Sequence, residues 1–341
     1  MKGFLFAIAI LWLHLISHGA WINFEPQIIH QPDGTEIQCY ASGDEFYNWL
    51  HDGDGYTIIQ NHSDGYYYYA MLENGVLVPS VFKVAEIDPK SLDIDPWTNI
   101  SAEKMRSIRA DFYENHMPDK PHLPGYVSPK STKNEGTLNN LVVYIHFSDQ
   151  TEFAADTMMY YNMYNETGSG ANSMLNYFET VSYNKISIPS WFYPVTSGAN
   201  VISYQDIYPR SYFMPWDPVT NPNGYQSGQS GLREHALLKR ACDIIGEEVP
   251  DNLDIDMNND GYVDNMVFTV RGSTTAWGTL LWPHRWSLYN EEVYINGKRV
   301  WDYNLQVENH LNNSGAGVLC DEMFHSISAP DLYHYNSCPY V

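Results

Sequence analysis

Short apolar runs separated by glycine-containing turns dominate the first quarter of the chain. The clearest runs are residues 56–60, 66–72 and 76–84. This spacing predicts a small antiparallel β unit. One segment departs from the pattern: residues 42–51 place Phe46, Trp49 and Leu50 on one helical face, which predicts a short helix there.

Beyond about residue 137 the pattern changes to longer apolar runs and amphipathic stripes. Residues 141–147 and 266–270 are continuous apolar runs, which predict buried strands. Helices are predicted at residues 100–112, 173–184 and 231–249, and a further strand at 186–195. Strands mixed with helices in this way indicate an α+β fold.

Two further segments divide the chain. Residues 1–20 combine Lys2, an apolar run and a small-residue end, which is typical of a secretory signal peptide; an uncleaved anchor is the alternative. Residues 116–136 are rich in Pro, Lys, Ser and Gly, and are predicted to be an exposed linker that could be processed. We therefore expect a secreted protein with folded regions at 21–115 and 137–341.

The chain is strongly acidic, with a formal net charge of −23 from 18 basic and 41 acidic residues. This charge argues against nucleic acid or an anionic membrane surface as a partner. No segment after the signal is long and apolar enough to predict a membrane span, so no stable membrane insertion is expected. Solvation by surface carboxylates is the simpler explanation of the charge.

Four cysteines allow three disulfide pairings: they are Cys39, Cys242, Cys320 and Cys338. A bond between Cys320 and Cys338 and a buried free thiol at Cys320 are equally compatible with the sequence. No Cys-x-x-Cys pair is present, which argues against a cysteine zinc site or a thioredoxin-like function.

Residues 256–264 carry oxygen ligands at alternating positions. The candidate calcium ligands are Asp256, Asn258, Asp260, Asp264 and the backbone carbonyl of Tyr262. Gly261 permits the sharp bend of an EF-hand-like loop. Val267 stands where a complete EF-hand has Glu, so a structural calcium loop is predicted; a turn without metal is the alternative.

A second constellation lies near residue 321. Glu322 and His325 match the end of the zinc motif H-E-x-x-H, in which two His at i and i+4 bind zinc and Glu is the general base. Asp321 occupies the first His position. Asp331 follows past Pro330 and would return a carboxylate to the same metal.

These motifs together resemble the immune inhibitor A family of secreted zinc metallopeptidases. The similar stretches are residues 42–80, the loop and strand 256–272, the Trp-rich stretch 277–286, and the motif with Pro330-Asp331. The resemblance implies a zincin-like fold preceded by a β-rich propeptide, peptide or protein substrates, and both zinc and calcium. It also implies Glu322 as the base, His325 and Asp331 as zinc ligands, and Asp321 at the position where the family has its first His ligand.

Departures from the family pattern leave two hypotheses open. Asp321 replaces an imidazole with a carboxylate, which makes the metal site harder and more anionic. Ser328 stands where the family usually has Gly, and the end at Val341 suggests a truncated catalytic region. The chain is therefore either a calcium-stabilised zinc endopeptidase made as a proenzyme, or an inactive relative that only binds proteins.

Four other residues are expected to play no part in catalysis. We expect His310 and His334 at the surface, His284 in packing rather than substrate contact, and Cys39 as a disulfide or inert thiol.

Overall fold

A computed structural model describes residues 22–44, 46–116, 135–196, 198–274 and 280–327. The strands are β1 (Ile22–His30), β2 (Glu36–Gly43), β3 (Asn48–His51), β4 (Thr57–Gln60), β5 (Tyr67–Glu73), β6 (Val76–Lys83), β7 (Gly136–Thr137), β8 (Asn140–His146), β9 (Ile186–Ser187), β10 (Ser190–Tyr193), β11 (Tyr204–Gln205), β12 (Met266–Val270), β13 (His284–Ser287), β14 (Tyr294–Ile295), β15 (Lys298–Arg299) and β16 (Asp302–Val307). The helices are α1 (Ala102–His116), α2 (Thr157–Asn165), α3 (Met174–Val181), α4 (Ser230–Ile245), α5 (Glu308–Ser314) and α6 (Ala316–Ser326). The chain has a β-rich N-terminal region followed by a mixed sheet with helices, as the α+β prediction requires.

The N-terminal region is one six-stranded antiparallel sheet, which we call the N-terminal sheet. Strands β1 to β6 follow one another in sequence order, so each strand pairs with its neighbour along the chain. The predicted strands at 56–60, 66–72 and 76–84 are confirmed as β4, β5 and β6. Ile37, Leu50 and Ile58 lie on its buried side.

The predicted helix at 42–51 is wrong, because this segment forms the turn from β2 to β3. The Asp44 carboxylate accepts the backbone N–H groups of Phe46 and Tyr47, as a helix cap would. The Asp44 N–H instead donates to the Tyr47 carbonyl at 3.0 Å, which closes a turn. Gly43 has a φ of +124°, a conformation that favours glycine, and it pairs with Asn48.

The second region is built on a mixed sheet with the strand order β10-β8-β12-β16-β13. Strands β10, β8, β12 and β16 are parallel, whereas β13 is antiparallel and forms the edge. The apolar runs at 141–147 and 266–270 are confirmed as buried strands, β8 and β12. Helices cover both faces of this sheet, which explains why these strands are apolar on both sides.

The two faces of the mixed sheet bury separate cores. Val143 and Ile145 of β8 lie in the core beneath α4, whereas Val142 and Tyr144 lie in the core beneath α2, α3, α5 and α6. The long helix predicted at 231–249 is confirmed as α4. It packs on the face opposite α6, so the helices that lie beside the motif helix are α2, α3 and α5.

The two regions meet at residues 280–282. Leu280 and Leu281 belong to the core beneath α4, whereas the next side chain, Trp282, lies fully buried in the core of the N-terminal sheet. None of the helices in the described ranges is long and apolar enough to cross a membrane.

Candidate functional site

Helix α6 carries the motif residues and begins at a glycine. Gly315 has a φ of +61° and ends α5, and its N–H donates to the Leu311 carbonyl at 2.8 Å. Along α6, Asp321 and His325 lie one turn apart, and Glu322 lies three residues before His325. These spacings put the three side chains on one side of the helix. The expected arrangement of this segment as a helix is confirmed.

Burial distinguishes the three motif residues. Glu322 is 0% exposed and His325 is 3% exposed, whereas Asp321 is half-buried. A buried carboxylate and a buried imidazole on one helical turn need polar surroundings, because each would otherwise carry a desolvation penalty. Such a pair is the kind of arrangement found where ionisable groups do chemistry.

Aromatic packing fixes the outer side of α6. Phe324 lies between the motif residues and contacts Phe178 at a ring-centroid distance of 5.0 Å and Tyr177 at 5.9 Å. Both partners belong to α3. Helix α6 also packs against β16 and the edge strand β13. The motif helix therefore lies between α3 and the strands β16 and β13 of the mixed sheet.

A chain of buried polar side chains holds the end of α6. The Ser326 hydroxyl donates to Asn265 Oδ1 at 2.8 Å and lies 3.2 Å from Asn304 Oδ1. Asn265 Nδ2 donates to Asn140 Oδ1 at 2.6 Å, and Asn140 Nδ2 donates to Ser190 Oγ at 2.9 Å. These side chains cross the sheet from β16 to β10, and they fix the residue next to His325 against three strands.

The rest of the predicted zinc set lies outside the described residues. Asp331, Ser328 and His334 belong to that part of the chain, as does Cys338. Within the described ranges, no three His, Cys, Asp or Glu side chains gather into a group that could hold a metal ion. The assignment of Asp321, His325 and Asp331 as ligands therefore stays a prediction.

The described cysteines are buried free thiols: Cys39, Cys242 and Cys320. Burial raises the pKa of Cys39 to about 12 and, together with the Asp321 carboxylate, that of Cys320 to about 12. A thiol with such a pKa is neutral and a poor metal ligand. Of the alternatives left open by the sequence, the structure has the free thiol at Cys320 and the inert thiol at Cys39.

The predicted calcium loop is a tight turn closed by its own carboxylates. Asp256 is 2% exposed, and its two oxygens accept the N–H groups of Asp260 at 2.9 Å and Gly261 at 3.0 Å. Asp260 Oδ1 accepts the Tyr262 N–H, and Asp264 Oδ2 accepts the N–H of residue 257, both at 2.9 Å. Gly261 has a φ of +89°, so the bend predicted there is confirmed.

The electrostatics of this loop favour a positive charge. Burial and the neighbouring carboxylates of Asp256, Asp254 and Asp260 raise the pKa of Asp264 to about 7. The Lys298 ammonium lies 2.6 Å from Asp256 Oδ2 and partly offsets this repulsion. The candidate donors are all oxygens, the ligand type that a hard cation such as calcium prefers, but the carboxylates of Asp256, Asp260 and Asp264 are not gathered into a group that could hold an ion in the described ranges. The ligand roles of Asp256, Asn258, Asp260, Tyr262 and Asp264 stay predictions.

A buried ionic cluster ties the edge strand β13 to α4. His284 Nδ1 donates to the Trp282 carbonyl at 2.7 Å, and His284 Nε2 lies 3.0 Å from Glu234 Oε1. The Tyr303 hydroxyl also donates to Glu234. His284 thus packs inside the protein, which agrees with the structural role expected for it. Burial lowers the pKa of the neighbouring His235 to about 4.

Several of these contacts were not foreseen in the sequence. His310, expected at the surface, is 7% exposed and bonds to Glu25 of the N-terminal sheet. The surface expectation is wrong because the partner comes from the other end of the chain. The sequence did contain a usable signal for the hydrogen bonds that hold α6: Asn140 and Asn265 are amides at the start of, or just before, otherwise apolar strands.

No protein-family model matches the chain, and no curated protein resembles it significantly. The resemblance to the immune inhibitor A family therefore rests on the sequence motifs alone.

Proposed function

We propose that this chain is a secreted homologue of zinc-dependent endopeptidases, made with the N-terminal sheet as its propeptide. The observation that carries the proposal is the placement of Asp321, Glu322 and His325 on a single face of α6, beside the edge strand β13. The zincin-like architecture belongs to this proposal. It is supported by the mixed sheet with one antiparallel edge strand and by a motif helix packed next to that edge.

Each motif residue has a distinct role in this proposal. His325 and the carboxylates of Asp321 and Asp331 would hold zinc, which accepts both imidazole and carboxylate ligands. Glu322 would act as general base and take a proton from the attacking water, then deliver it to the leaving amine. When bound, zinc supplies a Lewis acid that makes water acidic enough to react near neutral pH. Because Glu322 is 0% exposed, bulk water would be kept away from this proton transfer.

Peptide or protein substrates fit the edge of the mixed sheet. Strand β13 is the antiparallel last strand in the sheet order, and an extended peptide that extends a sheet pairs along such a strand. A peptide paired there would run alongside α6, which contacts β13. The Ser326 chain of hydrogen bonds would keep α6 fixed while the peptide binds.

Calcium is the second proposed metal. The loop from Asp256 to Asp264 joins the segment after α4 to β12, the central strand of the mixed sheet. A bound calcium ion would relieve the repulsion among its carboxylates and so stabilise the sheet on which α6 packs. This calcium would support the fold and take no part in the chemistry.

Cleavage of an unstructured protein tests the enzymatic proposal. We expect the wild-type chain, freed of its N-terminal sheet, to cut casein, and a zinc chelator to stop it. Glu322→Gln should lower the rate at least about a hundredfold, because the general base is lost. Glu292→Gln is a matched control at an exposed position and should leave the rate unchanged.

A second function is favoured by one residue, Asp321. A site with one imidazole and two carboxylates suits Mg, Ca or Mn better than zinc. On this alternative the protein keeps the architecture and binds proteins without cutting them. Cleavage that is absent in wild type and appears in Asp321→His would overturn the enzymatic proposal for this chain and favour the second function.

A further inference from the structure

Strand β1 buries polar side chains where an edge strand normally exposes them. Glu25 and Gln27 lie two residues apart on one face of β1 and are 5% and 6% exposed. Ile28, on the opposite face, is 60% exposed. This reverses the usual pattern of apolar-in and polar-out along an antiparallel sheet. Buried polar groups need partners, so this face of β1 is an interface.

The partners come from the second region. The two carboxylate oxygens of Glu25 accept hydrogen bonds from His310 Nδ1 at 3.0 Å and from Asn313 Nδ2 at 2.8 Å. Gln27 Nε2 donates to Thr274 Oγ1 at 2.9 Å, and Thr274 is fully buried. The carboxylate is thus held by two donors on the same helix, α5, which directly precedes the motif helix.

Trp282 provides the apolar part of this interface. Its side chain is 0% exposed and belongs to the same buried cluster as Ile22, Ile37 and Ile58 of the N-terminal sheet. A buried Trp contributes one of the largest apolar areas that a single side chain can bring to an interface. Such a residue, in an interface that also contains the buried pairs of Glu25 and Gln27, has the character of a binding hot spot.

From these contacts we propose that the N-terminal sheet stays bound to the second region as a non-covalent subunit after the connecting chain at 117–134 is cut. The proposed partner is the N-terminal region of the same chain, residues 22–116, which includes this sheet. It binds the surface formed by Trp282, Thr274, His310 and Asn313. The inference deepens the proposed propeptide role, and it also stands if the chain has no peptidase activity, because binding does not involve the metal ligands.

The contacts that hold the N-terminal sheet lie close in sequence to α6 and β13, so its retention would affect the motif residues. His310 and Asn313 lie on α5, which Gly315 joins to α6, and Trp282 lies two residues before β13. Helix α6 carries the motif residues, and β13 packs against α6. Departure of the sheet, rather than the cut itself, would therefore be the step that changes the surroundings of Glu322 and His325.

An engineered cut tests the proposal on the full chain. A recognition sequence for a site-specific protease replaces residues 121–127, the purified protein is cut to completion, and native mass spectrometry and size exclusion follow. The proposal expects one species that contains both fragments in a 1:1 ratio at low micromolar concentration. Two separate fragments in the wild-type background would overturn it.

Variants then test which residues hold the two parts together. After the cut, Trp282→Ala should weaken association at least about a hundredfold, because a fully buried Trp is lost. Trp191→Ala changes an exposed Trp and should leave association unchanged. If Trp282→Ala does not fold, Glu25→Ala provides the test, with an expected loss of at least about tenfold. Association that survives both changes would contradict the assigned surface.

Neither readout depends on zinc or on peptide cleavage. A failure of the enzymatic proposal would appear as absent cleavage in the sample freed of its N-terminal sheet, with the 1:1 species intact before that separation. A failure of the present inference would appear as separated fragments, whatever their activity.

Discussion

The two sheets of this protein obtain their cores in different ways. The N-terminal sheet pairs each strand with its neighbour in sequence and buries one face, and it takes Trp282 from the other region into that core. The mixed sheet pairs distant strands through crossovers and buries both faces under its own helices. The comparison teaches that the dependence is unequal: the core of the N-terminal sheet includes a residue of the second region, whereas the two cores of the mixed sheet are built from its own region.

The largest expected effect comes from the core beneath α4. Phe268 is fully buried at the centre of β12, so Phe268→Ala should reduce the free energy of unfolding by about 3–5 kcal/mol. Because the N-terminal sheet depends on Trp282, both regions should lose amide protection in hydrogen exchange. Ile28→Ala, at an exposed position of β1, should change stability by less than about 0.5 kcal/mol. If the amides of β2–β5 keep their protection in Phe268→Ala, the N-terminal sheet does not depend on the second region, which would contradict the comparison.

The reciprocal change should have a smaller and local effect. Ile58 is fully buried in the N-terminal sheet, and Ile58→Ala should cost about 2–4 kcal/mol there. Hydrogen exchange should accelerate in residues 22–83, while β8 and β12 keep their wild-type protection. Equal acceleration in both sheets would mean that the two regions unfold as one unit and would contradict the comparison.

Acid should weaken the second region through His235. Burial lowers the pKa of His235 to about 4 in the folded protein, against about 6.5 when unfolded. The unfolded chain therefore binds the proton first. Stability present above about pH 6.5 is lost as the pH falls towards about 4, by up to about 3 kcal/mol.

Urea unfolding across that range measures the effect. His235→Gln should flatten the pH dependence of the unfolding free energy, whereas His30→Gln, at an exposed position, should leave it as in wild type. An identical pH profile in His235→Gln and wild type would show that the buried imidazole is not the titrating group.

Calcium should stabilise the second region selectively. At a calcium concentration a hundredfold above the dissociation constant, the gain would be about 2.7 kcal/mol, seen as a higher melting temperature. Asp260→Ala should abolish the rise, and Asp251→Ala, at an exposed position outside the loop, should keep it. A wild-type melting curve that calcium does not move would remove the calcium proposal.

Local patterns predicted much of the fold because the forces behind them are local. The apolar runs of β8 and β12 and the stripe of α4 mark burial directly, so their positions follow from periodicity. The segment 42–51 failed because Asp44 caps a turn with the same hydrogen bonds that begin a helix. In that case the difference is made by the left-handed Gly43 and by pairing with β2, which periodicity does not contain.

The sequence predicted the arrangement of the site only within the single helix α6. The spacing of Asp321, Glu322 and His325 fixes their common face once α6 forms. Contacts between distant segments were missed: His310 meets Glu25, and Trp282 enters the N-terminal sheet. These contacts depend on how the two regions pack against each other, and local sequence patterns contain no information on that packing. Ser326 and Asn265 were missed because their hydrogen bond joins segments that are far apart in sequence within the second region.

The zinc content of the purified protein, measured by inductively coupled plasma mass spectrometry, tests the central proposal most directly. Wild type and Asp321→His are compared after equilibration with equimolar zinc and removal of the excess. The proposed endopeptidase predicts about one zinc per chain in both proteins, held at a site that needs His325. Wild type without zinc, beside Asp321→His with one zinc per chain, would contradict it and show that Asp321 has disabled the site.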